Sequence, residues 1–430
     1  MRMAGAVAVA CVAIAAYVST PAAQTGAQSQ TQTAPPAPQA TFRAATNLVE
    51  VDVVVLDKAG RFVPGLTVED LEVFEDGKRQ SVQQFYLVTH ARGGATSPDA
   101  SAPVLTAADA RGRRIFVFLF DENHLSNESL ARVKAGAERF LATQFGPGDV
   151  GGVYVGGAMY RGRLTTSKVE LLAGIRTATP TFDRRSDLLV AFREFPAIPS
   201  EADAVRIDYG DRRLVDDLTE KACLNSPSEC QREGGTQQVH NRIEDKAKEY
   251  VRFARVLTSQ TVQKLNVVAS NLASVPGRKT VILLSDGFFT DEVRAEIQQI
   301  AAIAARGGAT FYTIFGRGSD GVGGRTTDVV TAEPSTVTTH DTAEDGAEIL
   351  AAGTGGFVVR NLNDVARALG LVARDTSTYY VMGYQPENTV MDGKVRRIEV
   401  RPKTSELRVR ARKGYVASPL PPMQNIRIGG

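Results

Sequence analysis

Several features that would point to common functions are scarce or missing in this sequence. Its 430 residues include 50 basic and 48 acidic side chains, so the net charge of +2 gives no general attraction to nucleic acid or anionic lipid. The four histidines lie far apart and lack the spacing of a metal site. Neither the phosphate-binding motif G-x-x-x-x-G-K-S/T nor the nucleophile motif G-x-S-x-G occurs. The sequence therefore offers no motif for the commonest kinds of hydrolase or nucleotide-binding protein.

Cysteine is scarce as well. Only Cys11, Cys223 and Cys230 are present, and Cys11 lies inside an apolar run near the N-terminus. In an oxidising compartment the other two can close a small loop, and we expect this disulfide. The alternative is two unpaired thiols in a surface insertion. Neither arrangement favours a cysteine nucleophile.

The N-terminus has the composition of an export signal. Arg2 precedes an apolar run over residues 4–18, which is too short to span a bilayer, and small residues follow it at positions 20–23. We expect residues 1–23 to be a signal peptide and residues 24–41 to be a disordered linker. No other segment is apolar enough to cross a membrane, so a secreted or periplasmic mature chain is predicted.

Two β-rich segments flank the middle of the chain. Residues 42–90 contain β-branched runs separated by turn signals, and residues 379–417 again favour strands, with a tail at 418–430. Neither segment holds enough strands to be stable by itself. We therefore expect the two segments to pair in one small β domain.

Between these segments, residues 113–372 alternate between strand and helix patterns. The run Ile115–Phe120 is apolar at every position, which is typical of a parallel strand covered on both faces. Further strands are predicted at 150–155, 281–284 and 310–315, helices at 130–145, 168–175, 186–195, 241–272 and 293–305, and a solvated insertion at about 196–235. The alternation predicts an α/β fold with a doubly wound, mostly parallel sheet.

Two aspartates directly follow strands of this predicted sheet. Asp121 comes after Ile115–Phe120, and Asp286 follows the strand at 281–284 closely. Ligands of open α/β sheets bind beyond the carboxyl ends of the strands, and two carboxylates there can share a hard cation such as Mg²⁺ or Ca²⁺. The alternative is that each aspartate caps the helix that follows it. Spacing alone leaves both interpretations open.

Five stretches carry a resemblance to a known family. They are IFVFLFD at 115–121, GDV at 148–150, LTT at 164–166, PGRKTVILLSDG at 276–287 and YYVMGY at 379–384. Together they resemble the von Willebrand factor A (VWA) domain family, and within it the VWA-related subgroup common in acidobacteria. The resemblance covers about residues 113–381 and implies the same doubly wound α/β fold.

The resemblance also implies a metal-ion-dependent adhesion site. In the family this site is built from an Asp-x-Ser-x-Ser motif, a threonine on a second loop and an aspartate on a third. Asp121 and Asp286 match the two aspartates, Asn123 replaces the first serine, and Ser186 replaces the threonine. The residues implied as ligands of Mg²⁺ or Ca²⁺ are Asp121, Asn123, Ser126, Ser186 and Asp286.

Leu125 is a further departure from the family pattern, and His124 lies beside it. Leu125 stands where the second serine belongs and supplies no oxygen, with Ser126 one position later, so the implied site is degenerate. His124 lies close to Asp121 in the sequence, and we expect it to be a solvent-facing loop residue.

The predicted function is adhesion or protein–protein interaction outside the cytoplasm, without catalysis. If a metal ion is bound, a carboxylate of the partner protein would complete its coordination. Two alternatives stay open: a metal-assisted hydrolase that uses Asp121, Glu122 and Asp286, and a structural scaffold whose metal site has decayed. Neither a nucleic-acid partner nor an organic cofactor is predicted.

Overall fold

The computed structural model describes residues 48–90, 104–105, 112–181, 191–288, 292–317, 329–330, 345–360, 364–423 and 426–429. The predicted signal peptide and linker, and the candidate ligand Ser186, lie outside these residues. No helix in the described ranges is both long and apolar enough to span a bilayer.

Strands and helices are numbered separately in chain order. The strands are β1 (Val49–Leu56), β2 (Leu71–Glu75), β3 (Lys78–Gln80), β4 (Val82–Thr89), β5 (Val104–Leu105), β6 (Ile115–Phe120), β7 (Val150–Val155), β8 (Ala158–Met159), β9 (Leu164–Thr165), β10 (Lys279–Ser285), β11 (Ala309–Phe315), β12 (Val329–Val330), β13 (Val358–Val359), β14 (Thr378–Tyr384), β15 (Val395–Pro402), β16 (Arg408–Ala411), β17 (Gly414–Val416) and β18 (Ile426–Gly429). The helices are α1 (Asn127–Thr143), α2 (Lys168–Thr177), α3 (Glu201–Asp208), α4 (Arg212–Asn225), α5 (Pro227–Arg232), α6 (Thr236–Leu272), α7 (Arg294–Arg306), α8 (Asp345–Thr354) and α9 (Val365–Asp375).

The main sheet contains ten of the described strands, in the order β12-β13-β11-β10-β6-β7-β9-β18-β5, with β8 paired to β7. Its central strands β11, β10, β6 and β7 are parallel to one another. Every residue of β6, β10 and β11 is buried, and these strands are mostly apolar because both of their faces are covered. The predicted α/β fold with a mostly parallel sheet is confirmed.

Helices cover both faces of this sheet, and β6 shows how the two cores are separated. Because successive side chains of a strand point to opposite faces, Phe116, Phe118 and Phe120 lie in one core with α1, α2 and α9. Ile115, Val117 and Leu119 lie in the other core with α6, α7 and α8.

The path of the chain reverses at β6. β7 pairs with β6 on one side, whereas β10 pairs with it on the other and leads on to β11 and β13. The carboxyl ends of β6 and β10 are therefore neighbours, and residues that follow them lie where the strand order changes direction. We call this end of the sheet the carboxyl edge and the opposite end the amino edge.

The two flanking β segments form a separate β unit of two antiparallel sheets, with the orders β16-β1-β14-β4 and β17-β15-β2-β3. β1 from the N-terminal segment pairs with β14 from the C-terminal segment, from Val49 opposite Tyr384 to Val53 opposite Tyr380. β2 likewise pairs with β15. The predicted pairing of the two flanking segments is present, and one apolar core lies between their sheets.

The β unit packs against the amino edge of the main sheet. Arg278, just before β10, lies 3.1 Å from Asp52 of β1 and stacks over the ring of Tyr379 at 4.0 Å. Arg412 donates a hydrogen bond to the carbonyl of Ala305 near the end of α7. These contacts join the two parts of the chain through buried or half-buried arginines.

Helices α3, α4 and α5 form a packed insertion against the first part of α6. Apolar residues from all four helices share one core, which includes Ile207, Leu218, Cys230 and Ile243. The predicted disulfide is present and links Cys223 of α4 to Cys230 of α5. The insertion predicted at about residues 196–235 is helical, and its amphipathic helices bury an apolar face of their own.

The long helix α6 joins this insertion to the sheet. It has 37 residues, which corresponds to roughly 55 Å, whereas a seven-residue strand such as β10 spans roughly 23 Å. Its C-terminal end leads into the amino end of β10, and its residues from Val262 to Leu272 pack on the sheet. The first part of α6 therefore continues past the carboxyl edge and carries the insertion beside it.

Candidate functional site

Asp121 and Asp286 lie next to each other in the strand register at the carboxyl edge. Phe120 is opposite Leu284 in the parallel pair, and the N–H of Asp121 donates to the carbonyl of Leu284 at 2.9 Å. Both aspartates are buried, with 2% and 3% of their surface exposed. The prediction that parallel strands bring these two carboxylates to one edge agrees with this geometry.

The carboxylate of Asp121 accepts hydrogen bonds from three other side chains. The hydroxyl of Thr261 donates to Oδ1 at 2.9 Å, and that of Ser285 donates to Oδ2 at 2.6 Å. Nδ1 of His124 lies 3.1 Å from Oδ1 and 2.9 Å from Oδ2. A carboxylate has about four lone-pair positions, so these contacts use nearly all of its capacity.

These contacts also set the ionisation of Asp121. Burial acts to raise the pKa of its carboxyl group, but the neighbouring His124 and the hydrogen bonds from His124, Ser285 and Thr261 outweigh burial and lower the pKa below its usual value. Asp121 is therefore held as a carboxylate within the protein.

His124 is buried, with 5% of its surface exposed. Its backbone N–H donates to the carbonyl of Asp121 at 3.0 Å in a tight turn, and its ring packs 5.8 Å from the ring of Phe288. The prediction of a solvent-facing His124 is wrong, because the turn after β6 folds the ring back over the carboxylate three residues earlier.

Asn123 faces α6 instead of Asp286. Its amide nitrogen donates to the hydroxyl of Thr261 at 3.2 Å, and its amide oxygen accepts a hydrogen bond from Lys264 at 3.2 Å. The ammonium group of Lys264 therefore occupies the position beside the amide oxygen of Asn123 that a metal ion bound to this oxygen would need. Thr261 and Lys264 lie in α6, and no motif in the sequence marks them as site residues. Ser285 could have been identified, because it lies next to Asp286 in the stretch PGRKTVILLSDG.

Asp286 is engaged with the start of α1. Its Oδ2 accepts a hydrogen bond from the N–H of Ser126 at 3.1 Å, and the hydroxyl of Ser126 caps the helix by accepting from the N–H of Ser129 at 3.1 Å. Asp286 therefore does not cap the helix that follows it, as the alternative interpretation expected; its negative charge lies instead at the positive end of α1, the helix that follows Asp121.

The second oxygen of Asp286 has no hydrogen-bond partner in the described part of the chain. It lies against Gly316: a Cβ atom at that position would be 3.1 Å from Oδ1 of Asp286 and 2.8 Å from Cβ of Ser129. Only glycine fits this close approach without displacing a neighbour, and Gly316 covers the oxygen that has no partner.

Leu125 contributes an apolar side chain to the core at this edge. Its side chain is 3% exposed and lies in the core with Phe120, Leu130 and α9. Leu125 supplies no oxygen to the site, and we expect that replacing it with serine would remove core contacts.

Glu122 holds two loops of the same edge together. Its Oε2 accepts from the N–H of Gly156 at 2.6 Å, and its Oε1 accepts from the N–H of Thr179 at 3.0 Å. Both oxygens of this carboxylate are used to position backbone after β7 and α2.

Taken together, the described candidate ligands do not fit a divalent cation in this arrangement. Asp121 is surrounded by donors, Asn123 binds Lys264, Ser126 caps α1, and Asp286 divides its oxygens between a backbone N–H and a glycine. Over the described ranges, no group of three or more His, Cys, Asp or Glu side chains has the arrangement of a metal site. Ser186 lies outside those ranges.

Comparisons with known proteins add little to this geometry. No family model matches the chain, and no curated protein matches it. Seven solved chains match in structure; one is proximal thread matrix protein 1 from the mussel byssus, 12% identical, with a TM-score of 0.27. That match covers 62% of this chain and 48% of the mussel protein, so less than half of the mussel protein is spanned. A likeness at this level supports no conclusion about fold or function.

Proposed function

We propose that the chain is a non-catalytic protein-binding protein whose central α/β domain is of the VWA type. Strands β9, β7, β6, β10, β11 and β13 lie side by side in an order that reads 3-2-1-4-5-6 along the chain when β5, β8, β12 and β18 are set aside, with β9 antiparallel to β7. This order is one of those found in doubly wound sheets with helices on both faces. The VWA-like motifs at the ends of β6 and β10 support the family assignment.

The carboxyl edge is the surface that we propose for the partner. The β unit occupies the amino edge through Arg278 and Arg412, whereas the helical insertion stands beside the carboxyl edge. Partner-binding residues in α/β folds collect on the loops at that edge. Arg317, directly after β11, is exposed there and donates a hydrogen bond to the carbonyl of Asp286.

The single observation that carries the non-catalytic proposal is the engagement of the acidic side chains. The hydrolase alternative needs Asp121, Glu122 or Asp286 as a base or a metal ligand, and each of these carboxylates accepts hydrogen bonds from its own protein. Carboxylates that accept hydrogen bonds in this way hold the neighbouring loops in position. An extracytoplasmic location belongs to the same proposal, and the Cys223–Cys230 disulfide supports it.

The experiment is affinity capture with the purified chain from the native envelope, with and without a chelator. Arg317→Glu reverses a charge on the proposed surface, and Arg79→Glu, at an exposed position of the β unit, is the matched control. We expect a specific partner to be retained by the parent and by Arg79→Glu and lost with Arg317→Glu. If both variants captured the partner equally, the binding surface would lie outside the carboxyl edge.

A structural scaffold with a decayed metal site is the second candidate. The burial of His124 against Asp121 favours it, because a side chain that closes the site is typical of a site that has lost its ligand. Absence of any specific partner in the capture experiment would favour this candidate over the first.

A further inference from the structure

In the contact between His124 and Asp121, one nitrogen atom lies close to both oxygens of the carboxylate, as a cation shared by the two oxygens would. Nδ1 of His124 lies within 3.1 Å of both oxygens of the carboxylate, so one donor atom bridges them. A divalent ion bound to both oxygens would occupy the same space between them. The ring is held there by the turn after β6 and by Phe288, which is itself buried.

The contacts of Asp121 connect three elements at this edge. Thr261 brings α6 to Asp121, and Ser285 brings β10 to the same carboxylate. The hydroxyl of Thr261 also lies 3.3 Å from Nδ1 of His124. Strand β6, strand β10 and helix α6 therefore meet in one buried hydrogen-bonded cluster, which consists of Asp121, His124, Thr261 and Ser285.

We propose that His124 takes the place of a divalent cation on Asp121, so that the carboxyl edge keeps its shape without a metal ion. The side chains that follow Asp121 then act as one set: His124 fills the ion position, Leu125 enters the core, and Ser126 caps α1. The proposal rests on the VWA-type fold proposed above and does not depend on the identity of a partner.

The first test measures cation binding by the purified full chain. Mn²⁺ is titrated into the parent and into Asp121→Asn, with calorimetry and the electron paramagnetic resonance signal of free Mn²⁺ as readouts, and Mg²⁺ and Ca²⁺ are titrated by calorimetry. We expect no saturable binding that depends on Asp121. Saturable binding by the parent that Asp121→Asn abolishes would overturn the proposal.

The second test removes the ring. In His124→Ser the two oxygens of Asp121 lose their bridging donor and a space opens beside them, so we expect saturable Mn²⁺ binding and a rise in melting temperature with Mn²⁺. His240→Ser is the matched control, because His240 also contacts carboxylates, Asp216 and Glu244, but on the surface of the insertion. It should gain neither effect.

A folded His124→Ser variant that gains no binding would contradict the claim that the ring keeps the ion out. If that variant does not fold, the titration of the parent against Asp121→Asn decides the matter. Both measurements use the chain alone, so their outcome is independent of the partner-binding proposal.

Discussion

The amino edge of the main sheet is covered by another part of the chain, whereas the carboxyl edge is closed by side chains of its own loops and of α6. At the amino edge, long arginines reach across to the β unit, as Arg278 does to Asp52. At the carboxyl edge, short side chains such as Ser285 and Thr261 satisfy Asp121 within the domain. Within the described residues, the first edge is joined to the β unit, and the acidic side chains at the second edge accept hydrogen bonds from the α/β domain itself.

The largest expected effect is at the joint. Arg278→Ala should destabilise the chain by about 3 kcal/mol or more, since it removes one member of a half-buried ion pair, with side chains 14% and 31% exposed, and leaves Asp52 without its partner. Arg278 also loses its stacking on Tyr379. Urea unfolding measures the change.

The control for that prediction is Arg79→Ala. Arg79 pairs with Glu72 at 3.1 Å but is largely exposed, so its loss should cost under about 1 kcal/mol. An equal loss of stability in the two variants would mean that the contacts of Arg278 stabilise the chain no more than an exposed ion pair does.

The next effect concerns the core beneath the carboxyl edge. Leu125→Ala should cost about 3 kcal/mol, because the side chain is buried in the core with Phe120 and Leu130. Leu125→Ser should cost at least as much and should give no gain in cation binding. Thermal unfolding and calorimetry test both; a stabilised, Mn²⁺-binding Leu125→Ser would restore the metal-site alignment.

A pH effect is expected at the amino edge. Burial lowers the pKa of Lys279 to about 7, while its ammonium group donates to the carbonyls of Val275 and Gly307. Between this value and the ordinary lysine value of about 10.4 the unfolded chain binds more protons than the folded chain, so stability rises with pH. The slope is at most about 1.4 kcal/mol per pH unit.

The measurement is the free energy of unfolding from pH 7.5 to 9.5 for the parent and for Lys279→Met. The contribution of Lys279 is lost as pH falls from the unfolded value towards the folded one and is constant below it. We expect the upward slope to be smaller in the variant. Identical slopes would show that Lys279 titrates normally.

The smallest effect is at the helix cap of the carboxyl edge. Ser126→Ala should cost about 1 kcal/mol by removing the cap of α1. Ser167 caps α2 in the same way, accepting from the N–H of Glu170 at 3.4 Å, so Ser167→Ala is the matched comparison. A clearly larger cost at Ser126 would indicate that the cap also supports Asp286.

Much of the central fold could be read from local sequence. Ile115–Phe120 and Val150–Val155 were predicted with the bounds that the structure has, because an apolar run bounded by polar residues specifies a buried strand. The insertion was harder to predict. Its helices are polar on one face, and their apolar faces are buried only when they pack against α6.

The candidate site shows the same division. The sequence determined that Asp121 and Asp286 follow neighbouring parallel strands, and strand register then brings them to one edge. The sequence did not determine whether the side chains just after Asp121 point to solvent, to the carboxylate or into the core. His124 turns inward and Leu125 enters the core because the tight turn after β6 and the start of α1 leave them these directions.

Local pattern therefore determined the central strands, the helices beside them and the pairing cysteines, and it placed each aspartate close to the end of a strand, since each of these depends on residues close together in the sequence. The tertiary structure alone decided what each carboxylate contacts. Thr261 lies 140 positions from Asp121, and Ser285 lies 164 positions away. Hydrogen bonds over such separations form only after the sheet and α6 have packed, and no periodicity in the sequence records them.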